Sequence, residues 1–131
     1  MNRVAVGIGS NIRPAENIQN AVELLGREHA LLKMSHFSTT APVGFTEQPD
    51  FVNGAVLLQT DLTNEQFRGY LKELERRLGR VKTGNKYGPR TIDLDIVVWN
   101  GTVVDKDYYT RDFLKRAVDE VTGTAADTAP Q

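Results

Sequence analysis

The chain has 131 residues, 40% of them hydrophobic and 25% charged, with a net charge of −1 and no cysteine. That length suits one domain around a single core, and the near-neutral balance argues against nucleic acid or an anionic membrane as a partner. Without cysteine there is no disulfide framework and no thiolate metal site. The opening run Met1 to Gly9 is too short and too interrupted by glycine for a signal peptide, and no stretch approaches membrane-spanning length, so the cytoplasm is the expected compartment.

Arg3 to Ile8 reads as a first strand, ended by the turn residues Gly9-Ser10-Asn11. Such a turn can cradle an anion on its backbone N–H groups, but a plain strand-to-helix connection is the favoured reading. Pro14 suits a first helical turn, and Ile18, Ala21, Val22 and Leu25 share one face of a helix predicted to stop near Gly26. Ala30 to Thr39 is a loosely alternating second strand, followed by an irregular segment over Thr40 to Asp50. His29 and His36, isolated in or near this strand, are expected to be structural or exposed.

From Phe51 to Leu62 the pattern returns to a strand, with Phe51, Asn53, Ala55, Leu57 and Gln59 on one face. Val52, Gly54, Val56, Leu58 and Thr60 take the other, which predicts a central strand covered on both sides. Thr63 and Gln66 form a capping box for a helix carrying Phe67, Tyr70, Leu71, Leu74 and Leu78 inward and ending at Gly79. After a basic loop, Gly88-Pro89 turns into a strand from Ile92, and Asn100-Gly101 makes a hairpin to Thr102–Val104. Thr110 or Asp112 caps a last helix with Phe113 or Leu114, Ala117, Val118 and Val121 inward. The expected domain therefore covers 1–121, with a fraying tail over 122–131.

The element order predicts an α+β fold of the ferredoxin-like βαββαβ type: an antiparallel sheet with helices on one side, plus a C-terminal hairpin and helix. The opposite face of such a sheet can stay open for a ligand.

In the strand from Ile92, alternation puts Ile92, Leu94 and Ile96 on one face and Asp93 and Asp95 on the other. The two carboxylates are separated by roughly 6.5 Å of strand rise. Two readings stand: a solvated face with two acids, or a pair holding a hard divalent cation. The neighbourhood favours the cation. Arg76, Arg77, Arg80, Lys82, Lys86 and Arg90 crowd the helix end and the glycine-containing loop before it. Helix-terminal arginines have a dipole explanation. Cations in a flexible loop leading to a carboxylate pair fit a magnesium-bound polyphosphate better. Phosphoryl transfer rests on positioning and electrostatics and needs no nucleophilic triad, of which the chain shows none.

Gly79-Arg80-Val81, with Tyr87-Gly88-Pro89-Arg90-Thr91-Ile92-Asp93-Leu94-Asp95-Ile96, resembles the signature of the 6-hydroxymethyl-7,8-dihydropterin pyrophosphokinase family of folate biosynthesis. Gly9-Ser10-Asn11 resembles that family's first turn. Thr40-Ala41-Pro42-Val43-Gly44 and Gln48-Pro49-Asp50-Phe51-Val52-Asn53 resemble its pterin-side loop and strand, so the likeness runs from about Val4 to Val104. It implies transfer of pyrophosphate from ATP to the pterin hydroxymethyl group, with release of AMP. The expected partners are those small molecules, and the expected state is a monomer. Asp93 and Asp95 would hold two Mg2+ ions. Arg80 and Arg90 would act at the phosphates, and Glu75, Arg80, Lys82, Arg90 and Arg111 would bind ATP. Thr40, Val43 and Asn53 would meet the polar edge of the pterin, with Tyr87 as an aromatic lid residue. Phe51 and Phe113 fit either pterin walls or ordinary core packing.

The chain departs from the family pattern after Val104. Asp105 to Thr110 is shorter and lacks a nucleotide-contacting histidine, Ala117 replaces a proline, and Thr83 stands where a second lid cation is common. A short C-terminal variant is therefore expected. The alternative is a non-catalytic pterin- or nucleotide-binding descendant. A third reading, an unrelated metal-dependent phosphotransferase, is disfavoured by the pterin-side match.

Overall fold

The computed structural model describes residues 1–42, 44, 46–80 and 89–123. Its sheet is built on β1 (Asn2–Ser10), which pairs antiparallel with β4 (Phe51–Thr60) from Asn2↔Thr60 to Ser10↔Val52. On its other side β1 pairs antiparallel with β5 (Asp93–Trp99). β2 (Ala30–Met34) and β3 (Ser38–Thr40) both pair with β4, and β6 (Thr102–Val103) pairs with β5. The order β2-β4-β1-β5-β6 is thus antiparallel throughout. With β2 and β3 counted as one interrupted strand, and α1 (Pro14–Glu28) and α2 (Asn64–Arg77) as connections, this is the expected ferredoxin-like α+β fold.

Strand alternation divides the core in two. Val4, Val6, Ile8, Val56, Leu58, Ile92 and Leu94 face α1 and α2 and meet Ile18, Ala21, Leu25, Phe67, Leu71 and Leu74. Phe67 and Leu74 are fully buried, and truncating either to alanine would cost about 2–5 kcal/mol. On the opposite face Ala5, Ala55, Val97 and Val98 pack against Ala117, Val118 and Val121 of α4 (Asp112–Thr122). The sheet is therefore not bare on its second face, because the strongly amphipathic last helix folds back over part of it. A one-turn helix, α3 (Asp107–Thr110), precedes α4. Gly123, at φ 70°, closes α4, so the helix passes the expected boundary at residue 121 by one position. Residues 124–131 of the expected tail lie outside the described residues.

Two local expectations shift. Gly26 lies inside α1, whose end comes at His29, where the N–H donates to the Leu25 carbonyl. One interior glycine costs only about 1 kcal/mol, less than burying the Leu25 side chain returns. His29 itself packs edge-on against Phe67 and Tyr70. The second strand is interrupted at 35–37, where Ser35 donates its N–H to the Ala55 carbonyl and accepts the Ala55 N–H on Oγ. One side chain thus takes a ladder position, and the Phe37 ring lies over Gly54, 2.6 Å from where a Cβ would stand.

The turns obey their sequence signals. Thr63 and Gln66 make the reciprocal capping box at the start of α2. Asn100 and Gly101, at φ 48° and 84°, form the hairpin turn with both central residues at positive φ. The β1–β5 register shifts between Ala5 and Val6, so Val97 is an extra residue bulged out of the ladder.

Candidate functional site

The sheet face that carries α4 is floored by small residues. Gly7 stands between Asp95 on β5 and Ala55 on β4, and Gly9 stands between Asp93 and Asn53. With no side chains on these two positions, a cavity of about 310 Å³ opens between sheet and helix. Its lining includes eight residues expected at a site: Thr40, Phe51, Asn53, Arg90, Asp93, Asp95, Arg111 and Phe113. Asn53 donates from Nδ2 to Thr40 Oγ1 at 2.6 Å, joining two polar groups from neighbouring strands. Phe113 and Leu114 reach the cavity from the first turn of α4, and Phe51 from the start of β4.

Arg80 and Glu75 are not among the cavity residues. α2 ends in a Schellman arrangement: Gly79, at φ 95°, donates to the Arg76 carbonyl and Arg80 N–H to the Glu75 carbonyl. That turn sends the Arg80 guanidinium to 2.9 Å from both Asp93 Oδ1 and Glu75 Oε2. Arg90 holds the other oxygen of Asp93 at 3.2 Å. Glu75 is turned inward, and its Oε2 accepts the Leu94 N–H at 2.7 Å. Val43, Lys82 and Tyr87 lie outside the described residues.

Asp95 is held back from ionising. Burial, then the negative charge of Asp93 and its hydrogen bond, push the Asp95 carboxyl up to about 7, with Lys72 opposing. Burial also raises Glu75, against the hydrogen bond from Leu94 and the charges of Arg80 and Lys72. Two neighbouring carboxylates, one held back from ionising, are what a divalent cation would relieve. Among the described residues no three acidic or histidine ligands converge. Magnesium needs no such cage, since one or two carboxylates suffice when phosphate oxygens and water complete its shell. The donor set therefore fits the ion.

A family model described as 7,8-dihydro-6-hydroxymethylpterin-pyrophosphokinase matches residues 5–123. The chain belongs to this family. It is 37% identical over 108 residues to a 2-amino-4-hydroxy-6-hydroxymethyldihydropteridine pyrophosphokinase of Pseudomonas aeruginosa, covering 80% of this chain and 66% of that one. A Bacillus subtilis protein of the same description is 38% identical over 104 residues, 76% of this chain and 62% of the relative. A protein of Arabidopsis thaliana described as a mitochondrial folate synthesis bifunctional protein is 33% identical over 136 residues, 96% of this chain and 24% of that one. The chain spans about two thirds of the length of the first two relatives.

Within this pyrophosphokinase-family fold, several site residues escaped the sequence reading. A second groove of about 450 Å³ lies along α2 and β5, lined by Arg68, Leu71, Lys72, Ile96, Val104 and Lys106 among others. Asp95 and Asp105 line both cavities. Asp105 also accepts the Asp107 N–H at 3.0 Å just ahead of α3, and Asp107 lines the first cavity. Their approach depends on how the segment after β6 folds back, which no periodicity announces.

In the sequence Asn11 reads as part of a turn. It is 3% exposed and ties three segments together: Oδ1 accepts the Arg90 N–H at 2.8 Å, and Nδ2 donates to Gln48 Oε1 at 2.8 Å and the Pro49 carbonyl at 3.0 Å. Its own N–H donates to the Arg90 carbonyl. The first turn is therefore a clasp between the segment before β4 and the turn before β5. Glycines at positions 7 and 9, two apart in a strand, were the available signal for an open floor.

No described helix is long and apolar enough to cross a membrane.

Proposed function

We propose that this chain transfers a pyrophosphoryl group from ATP to the hydroxymethyl oxygen of 6-hydroxymethyl-7,8-dihydropterin, releasing AMP. The observation that carries the reading is that Asp95 lines two adjoining cavities at once. A two-substrate transfer needs two sites that meet at the reacting phosphorus. The glycine-floored cavity suits a flat heterocycle, with Thr40 and Asn53 toward its polar edge and Phe51 and Phe113 toward its rings; the family resemblance would add Val43 and Tyr87 to these contacts. The groove beside α2, flanked by Arg68, Lys72 and Lys106, suits the nucleotide. Family membership supports both assignments.

In the transfer the pterin hydroxyl oxygen bonds to the β-phosphorus, and the bond from that phosphorus to the α-bridging oxygen breaks. AMP leaves with that oxygen, and the hydroxyl proton is lost. Asp93 and Asp95 would hold two magnesium ions, which when bound supply Lewis-acid polarisation of the phosphate oxygens. Arg80 and Arg90, now paired with Asp93, would turn part of their donor capacity to phosphate oxygens and offset the charge there. Lys82 and Arg111 would add cations along the triphosphate. We further read the chain as a single-domain, monomeric protein of the cytoplasm. A role in folate biosynthesis is what the names of the Arabidopsis and pea relatives support, although those two proteins are themselves described as mitochondrial.

AMP release from ATP and magnesium, with and without the pterin, tests the proposal. Pterin-dependent AMP is the expected result. Tight pterin binding without AMP would instead mark a binding descendant of the family, and neither would overturn both.

A further inference from the structure

β5 is flanked by β1 along its length, but β6 pairs only with its far end, at Val98 and Trp99. Opposite β1, at Leu94, no described strand supplies the next ladder position. Glu75 fills it. Its Oε2 accepts the Leu94 N–H at 2.7 Å, and Leu94 is the residue between Asp93 and Asp95. The same oxygen lies 2.9 Å from Arg80 Nη1, which also reaches Asp93 Oδ1, and Oε1 lies 3.6 Å from Lys72 Nζ.

Glu75 is 4% exposed, and it lines neither of the two cavities. A buried ion pair adds little net stability compared with well-packed apolar groups, so its contribution here is geometric. α2 is held at one end by its capping box and at the other by the Schellman turn. Glu75 links that rigid helix to the backbone between the two acids, and through Arg80 to the carboxylate of the first.

Resting on the pyrophosphokinase reading, we infer that Glu75 is a positioning residue: it clamps the Leu94 amide and so sets the spacing and direction of Asp93 and Asp95, rather than touching ATP. This replaces the nucleotide-holding role that family likeness gives it. Groups that hold metal ligands in place typically change metal affinity or activity by about 10–100-fold when lost.

The test compares full-length wild type, Glu75→Gln and Glu75→Ala by amide NMR and by magnesium titration. A charged acceptor holds an amide proton more strongly than a neutral one. The Leu94 amide proton should therefore be downfield and slow to exchange in wild type, shifted upfield in Glu75→Gln, and fast to exchange in Glu75→Ala. Glu75→Ala should raise the magnesium needed for half-maximal AMP release by about tenfold or more, with pterin affinity within twofold of wild type. A Leu94 amide unmoved in both variants overturns the clamp. So does a loss of ATP affinity in metal-free binding with the Leu94 amide in place, which would make Glu75 a direct nucleotide contact. If Glu75→Ala does not fold, the Leu94 shift in Glu75→Gln decides alone. If wild type releases no AMP, the catalytic reading fails while the amide and Mn2+ binding in the same variants still decide the clamp.

Discussion

Gly9 and Asn53 are direct partners across the β1–β4 ladder, and a Cβ on Gly9 would stand 2.8 Å from Asn53 Oδ1. The neighbouring strand thus leaves the amide of Asn53 free to hold Thr40 Oγ1. Gly9→Ala should push Asn53 off that bond. Overpacking of this kind costs about 1–3 kcal/mol. We expect a folded protein with a lowered melting temperature and at least tenfold weaker pterin binding, read by pterin fluorescence. Equal affinity in the variant would mean that Asn53 does not set the pterin edge.

Asp95→Ala should abolish AMP formation and leave the circular dichroism spectrum as in wild type. Asp95 lines both cavities, and burial already disfavours its charge, so the fold does not depend on it. Retained turnover in this variant would remove Asp95 from the metal site.

Asn11→Ala removes three side-chain hydrogen bonds, among them the one that Asn11 Oδ1 accepts from the Arg90 N–H. At about 1 kcal/mol each, the loss is about 2–4 kcal/mol. Denaturant unfolding measures it directly. Because the clasp joins the pterin-side segment to Arg90, KM for both substrates should rise together. A rise confined to one substrate would mean that the two sides do not share this anchor.

The pH dependence of stability should carry the mark of His29. Burial against Phe67 and Tyr70 lowers its pKa below the usual 6.5. The folded state therefore favours the neutral ring, and its contribution is full above pH 6.5. It is lost as pH falls through the lowered folded value, because the unfolded chain takes up the proton first. His29→Phe should flatten the acid-side fall in melting temperature below pH 6.5. An identical pH profile for the two proteins would show that His29 does not titrate with folding.

What the sequence revealed here was mostly periodic or local. The two faces of β4 follow from alternation, and Val56 and Leu58 do meet α1 and α2 while Ala55 and Leu57 meet α4. The Thr63 capping box and the Asn100-Gly101 turn are short-range chemistry and stand where they were read. The aspartate pair was legible for the same reason: two acids two apart on a strand share a face. The interruption after Met34 was not legible, because it depends on Ser35 bonding Ala55 twenty residues away. Nor was the inward turn of Glu75, which depends on Leu94. The last helix was recognised by its apolar face, but which side of the sheet would receive it was not written in any local pattern.

The bulge at Val97 separates two histories within one strand. Before it, β5 keeps time with the glycines of β1, so the acids answer to Gly7 and Gly9. After it the parity changes: Val98 lies opposite Ala5, and Trp99 turns toward the α1–α2 core. The hairpin beyond can therefore be lengthened, shortened or rebuilt without rotating either carboxylate. A change after Val104 can thus leave Asp93 and Asp95 in place, because one inserted residue separates the acidic half of the strand from the hairpin that extends it.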